Sequence, residues 1–167
     1  MAQKQNKNLE KLLIEQLKDL HSAETQLVAA LPKLAKAAST PELQAAFNMH
    51  LDETRNHVQR IEQIFESLEG SPRGKKCHGM EGLIEEGNEL IKEKAEYDAD
   101  TLDAGLIAAA QKVEHYEISA YGTVRAFAQH LGLEDAVKLL SQTLEEEYAA
   151  DRKLTALAES RVNEQAA

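Results

Sequence analysis

Seven residues of this 167-residue chain combine types and spacings suited to holding metal ions: Glu24, Glu53, His57, Glu114, Glu117, Glu147 and Asp151. Glu24 stands in a seam, Leu13, Leu17, Leu20, Glu24, Leu27, Leu31, whose alternating steps of four and three mark the buried stripe of a helix. An ionised carboxylate there is costly unless it is protonated, paired or bound to a cation. The other candidates come in helical pairs. Glu53 and His57 are four apart, Glu147 and Asp151 four apart, and Glu114 and Glu117 three apart, so each pair projects from one face. Leu140, Leu144, Glu147, Asp151 and Leu154 form a second seam, interrupted by two acids. No lysine or arginine falls on these stripes near the acids, so carboxylates crowded at ~4–6 Å need added positive charge. Two divalent metal ions would supply it. Many carboxylates with few imidazoles suit iron, with manganese as the alternative.

The helices that must carry these groups are sparsely punctuated. Asn8 is placed to cap a first helix over about 8–38, and Ser39-Thr40-Pro41-Glu42 supplies a cap, a first-turn proline and an acid for a second over 41–68. Gly70-Ser71-Pro72-Arg73-Gly74 stops it. A short amphipathic helix is expected over 79–95. Asp100 is placed to cap a helix over 101–131, Gly132 to end it in the left-handed conformation, and a last helix covers 133–160. Two tight hairpins joined by one long connection predict an all-α, ferritin-like four-helix bundle, its crossover between the second and third long helices containing a short fifth helix. The whole chain, 1–167, is read as one such domain.

Depth gives an independent check. Glu24 lies sixteen residues before Thr40, and Glu53 and His57 thirteen and seventeen after it. Glu117 and Glu114 lie fifteen and eighteen before Gly132, and Glu147 and Asp151 fifteen and nineteen after it. At helical rise all seven sit roughly 20–26 Å or slightly further from a turn. Head-to-tail packing of the hairpins then brings them together at mid-bundle.

Composition narrows the classes of function. A net charge of −10 argues against nucleic acid and anionic membrane as partners. No stretch approaches the roughly 20 apolar residues of a membrane span. The single cysteine, Cys77, excludes an intramolecular disulfide framework and a thiolate-built metal site. A cytoplasmic protein is the expectation.

Leu20-His21-Ser22-Ala23-Glu24, His50-Leu51-Asp52-Glu53-Thr54, Val113-Glu114-His115-Tyr116-Glu117, Leu144-Glu145-Glu146-Glu147 and the Lys75-Lys76-Cys77 link resemble the YciE/YciF family of ferritin-like bacterial stress proteins, over nearly the whole chain. The resemblance implies a ferritin-like bundle, a homodimer and a role in general stress. The wider di-metal motif, Glu-x-x-His, is altered here: Asn56 precedes His57, and Ala150 precedes Asp151. Glu53, His57 or both are thus open as second-helix ligands, with His50 one turn away. Asp151 is either a ligand or a hydrogen-bond acceptor behind one. Glu145 and Glu146 are read as solvated acids, His115 as pointing away, and Tyr121 and Tyr148 as core residues or donors to ligand carboxylates. The expected function is a di-iron or di-manganese protein handling peroxide or dioxygen, with an external reductant because one cysteine cannot build a rubredoxin centre. The reading from a different class is a non-catalytic binding or structural stress module with a vestigial or single-metal site. An iron-storage cage is not expected, since no fifth cage-closing helix is read after Ser160.

Overall fold

The computed structural model describes the backbone of residues 2–166 and the side chains of 7–160 and 162–166. Four long helices form the bundle: α1 (Ala2–Ala37), α2 (Pro41–Ser67), α4 (Ala99–His130) and α5 (Glu134–Leu157). The crossover carries α3 (His78–Lys92) and a 3-10 turn at Lys94–Glu96. After α5 a π-helical turn, Ala158–Val162, leads into the four-residue α6, Asn163–Ala166. The described residues contain no strand.

α1 packs along α2 and α4 along α5, and the hairpins meet through α2 with α5 and α1 with α4. One buried acid fixes the head-to-tail arrangement. Asp103, in the first turns of α4, accepts hydrogen bonds from the backbone N–H of Ser39 at 2.7 Å and of Thr40 at 2.9 Å. α4 therefore starts at the α1–α2 turn and runs back along α1. Thr40 is the N-cap of α2, but its side chain makes no capping bond. Asp103 takes up the turn's amides from the other hairpin instead, a role the local sequence does not announce.

Other ends differ from the sequence reading by a few residues. α1 is already helical at Ala2, so Asn8 lies inside it and caps nothing. Asp98, and not Asp100, caps α4, accepting from the Thr101 N–H at 2.8 Å. Gly132 takes φ +71, and the N–H groups of Gly132 and Leu133 return to the carbonyls of Gln129 and Ala128, closing the α4 terminus. Cys77 is a buried N-cap of α3, its sulfur facing the Met80 N–H at 3.4 Å. The link is tied to α1 as well: the Cys77 N–H donates to Ser22 Oγ at 3.0 Å, and Gln26 Nε2 donates to the Cys77 carbonyl at 3.0 Å.

The core is divided. Leu27, Leu31, Leu43, Phe47 and Leu106 fill the half beside the α1–α2 turn. Leu13, Leu17, Ile61, Ile64, Val124 and Leu140 fill the other. Between these apolar blocks lies a layer of buried acids and imidazoles.

Candidate metal centre

Each bundle helix contributes its buried stripe to this layer. On α1 the leucine seam carries Glu24 inward, fully buried. On α2 the buried stripe is Leu43, Phe47, His50, Thr54, His57, Ile61, Ile64, with the same alternation of four and three. It places both histidines inward and Glu53 at the edge of the stripe, about 60° round the helix from His50. α4 supplies Glu114 and Glu117, and α5 supplies Glu147, all buried.

Two donor sets result, each with its ligand atoms within 4.8 Å of one another: His50, Glu114, Glu117 and Glu147 in one, and Glu24, His57 and Glu147 in the other. Glu147 belongs to both. His50 Nε2 lies 3.3 Å from Glu114 Oε1 and 3.9 Å from Glu147 Oε2. His57 Nδ1 lies 3.0 Å from Glu147 Oε1 and 3.4 Å from Glu24 Oε1, close but off the line a hydrogen bond requires. Among the described residues, nine buried side-chain nitrogen and oxygen atoms lack a hydrogen-bond partner, and all nine belong to Glu24, His50, His57, Glu114, Glu117 and Glu147. Buried polar groups are rarely left unpaired, so such a concentration of them marks groups arranged for something other than one another.

The electrostatics follow from crowding. Burial, together with neighbouring carboxylates, pushes the carboxyl groups of Glu114 and Glu117 well above the ordinary range, and burial raises Glu147 despite His57 beside it. Burial works against charge on His57, but hydrogen bonding to Glu146 and the nearness of Glu147 and Glu24 outweigh it and lift the imidazole to about 12. Burial likewise opposes charge on His50, and Glu114 and Glu53 outweigh it, so that histidine is raised as well. Four buried carboxylates with two neutral imidazoles match the charge of two divalent cations, and oxygen and nitrogen donors of this kind fit iron or manganese.

Several of the surrounding residues hold the donors in place. Glu146, read from sequence as a solvated acid, is half-buried and lies 2.9 Å from His57 Nε2, while Arg60 grips it in a two-pronged pair at 2.5 and 2.9 Å. Burial disfavours its charge, yet His57 and Arg60 hold its carboxyl down at about 2. Arg60 corrects the expectation that no cation stands near the acids: it lies three residues beyond His57 and reaches the site through Glu146. With Nε2 engaged by Glu146, His57 turns Nδ1 toward Glu24 and Glu147. Tyr121 Oη, fully buried, donates to Glu24 Oε1. Burial and the adjacent acids raise this phenol, keeping it a donor.

The structure thus brings together five of the seven predicted residues, adds His50, and keeps two apart. Glu53 stands at the rim, 30% exposed, its Oε2 3.4 Å from His50 Nδ1. Asp151 lies outside both donor sets, 20% exposed, with Oδ1 accepting from Gln111 Nε2 at 3.1 Å and 3.5 Å from His115 Nε2. His115 points outward, and Tyr148 is 40% exposed. Cys77 is equally remote from this chemistry. Its sulfur lies 2.9 Å from Tyr116 Oη, which donates to Asp19, and burial with Asp19 nearby keeps the thiol protonated.

Comparison with known proteins places this geometry in context. A family model described as a domain of unknown function, DUF892, matches residues 8–167. Protein YciF of Escherichia coli (strain K12) is 51% identical over 161 residues, 96% of each chain. The crystal structure of the E. coli stress protein YciF matches with a TM-score of 0.88, covering 93% of this chain and 97% of the other. YcfI from Rhodopseudomonas palustris, described as a candidate structural protein, matches at 41% identity with a TM-score of 0.83, over 88% and 92% of the two chains. A dodecameric thioferritin from Bacteroides fragilis, a bacterioferritin-related protein, shares the fold with a TM-score of 0.69 at 19% identity over 98% of each chain. The bundle is therefore ferritin-like.

Proposed function

The chain belongs to the DUF892 family and is a relative of the Escherichia coli stress protein YciF, and from that premise we propose that its acidic layer holds two divalent metal ions, iron in preference to manganese, for peroxide or dioxygen chemistry during stress. The nine unpartnered buried atoms carry this reading. His50, Glu114 and Glu117 would hold one ion and Glu24 and His57 the other, with Glu147 common to both and Glu53 joining from the rim. Asp151 serves from behind, as an acceptor anchored by Gln111. When bound, the metal pair supplies the electrons exchanged with the oxidant.

The chain's own residues do the rest. Glu146 and Arg60 fix the His57 ring, Tyr121 steadies Glu24, and the apolar blocks on either side keep bulk water from the layer. Electrons come from an external reductant, and the protein acts as a cytoplasmic homodimer without nucleic acid or membrane as partner. No helix among the described residues is long and apolar enough to cross a membrane.

The test is elemental analysis of the full chain, expressed with iron and manganese and purified without chelator, beside Glu24→Ala. About two metal ions per chain, falling to about one in the variant, is the expected result. Well under one, unchanged by the substitution, would overturn it.

A second reading, a non-catalytic structural or binding module of the stress response with a vestigial or single-metal site, draws on two observations. Burial raises Glu114, Glu117 and Glu147, which favours their neutral forms where no metal is bound, and the relative YcfI is described as structural. Peroxide-dependent oxidation of a loaded ferrous sample separates the two: turnover favours the first, and inertness the second.

A further inference from the structure

Two methionines among the described residues differ sharply in access: Met80 is fully buried, whereas Met49 on α2 is 45% exposed. The Met49 sulfur faces the ammonium of Lys153 on α5 at 3.7 Å. Among the described residues, nothing else lies within hydrogen-bonding or ion-pairing distance of that ammonium. The positions three and four away from it on α5 are Ala149, Ala150, Ala156 and Leu157, so its own helix offers no carboxylate. Glu53, one turn beyond Met49 on α2, turns its Oε2 to His50 Nδ1 at 3.4 Å. A cation is thus left with a thioether, which is a weak acceptor. Met49, Glu53 and Lys153 stand together with His50 around a narrow apolar cleft of about 30 Å³.

We propose that Met49 is a site of oxidation by hydrogen peroxide, and that its sulfoxide oxygen becomes the hydrogen-bond acceptor for Lys153, tying α2 to α5 beside His50. A sulfur lone pair attacks one peroxide oxygen, and the S–O bond forms as the O–O bond breaks. Sulfur gives up two electrons, and the second oxygen leaves as water with the proton of the first. The product exchanges a weak acceptor for a strong one opposite an ammonium, and a bond to a charged donor is stronger than one between neutral groups. Because Met49 is half in solvent, the new oxygen is not stranded among carbon. Reduction of the sulfoxide restores the thioether, so the tie is reversible. None of these steps uses a metal ion, and the modification stands whether or not the acidic layer is loaded.

The full chain, freed of metal so that no iron chemistry competes, is treated with hydrogen peroxide and followed by peptide mass spectrometry and by melting temperature. Met49 is expected to become the sulfoxide at least about tenfold faster than Met80. The melting temperature of the oxidised chain is expected to rise by about 2 °C. Lys153→Ala should still be oxidised at Met49 but show no rise, and Met49→Leu should show no response to peroxide at this dose. Oxidation of Met80 as fast as Met49, an oxidised native chain that melts no higher than the untreated one, or the same rise in Lys153→Ala or Met49→Leu would each overturn the proposal. Met49→Gln, which sets an amide oxygen opposite Lys153 without oxidation, should raise the melting temperature in the native background and not beside Lys153→Ala.

Discussion

The two sides of the acidic layer are built differently although each centres on a histidine from the same stripe of α2. His57 is clamped: Glu146 engages Nε2, Arg60 grips Glu146, and the ring is fully buried. His50 has no hydrogen bond at either nitrogen, neighbours the partly exposed Glu53, and borders an apolar cleft. One side is positioned by the protein alone, while the other is left for whatever enters to complete. Under the proposed metal reading these would be the fixed and the exchanging ends of a single centre.

Glu147 is the largest lever on that comparison because both donor sets use it. Glu147→Ala is expected to abolish binding at both positions, whereas Glu114→Ala spares the His57 side and leaves about one ion per chain. Equal losses in the two variants would break the division.

Stability should divide the same way. In metal-free protein, His57→Ala removes one of two partners of a half-buried carboxylate that Arg60 still holds and is expected to cost about 2 kcal/mol, whereas His50→Ala removes no hydrogen bond and should cost at least about 1 kcal/mol less. Urea unfolding of the two variants measures the gap.

The pH dependence has two limbs of opposite sign. Glu114, Glu117 and Glu147 are raised, so in metal-free protein their contribution is full below the ordinary glutamate value of 4.5 and is lost as pH rises through their folded values. Glu146 is lowered to about 2, so its contribution is full above 4.5 and is lost as pH falls toward 2. Metal-free protein should therefore gain stability from neutral pH toward about 5 and lose it below about 4.5. Glu146→Gln should flatten only the acid limb, as read from denaturant midpoints across pH.

The smallest effect is expected at Tyr121→Phe. Losing the phenol's bond to Glu24 should cost about 1 kcal/mol and weaken metal retention on the His57 side alone.

Much of this was legible in the chain. The α1 seam placed Glu24, helix depth placed Glu114, Glu117, Glu147 and His57, and the long crossover set the head-to-tail packing that Asp103 pins. His50 carries the same signal as Glu24, a polar residue on the stripe through Phe47, His50, Thr54, His57 and Ile61, whereas Glu53 matches the glutamate motif by type and stands off that stripe. Asp151 fits the α5 seam by spacing, yet Gln111 of α4 holds it at the bundle's edge. Glu146 was hidden among three adjacent glutamates, where only Arg60 on another helix distinguishes the one that faces His57. Such choices depend on partners from other helices, which periodicity along one helix does not encode.

Anomalous diffraction at the iron and manganese edges from crystals of the metal-loaded chain tests the central claim most directly. The account predicts two peaks flanking Glu147, one beside His50 and Glu114 and the other beside Glu24 and His57. A featureless layer in metal-supplemented crystals, with the glutamates paired to one another as neutral acids, would contradict it.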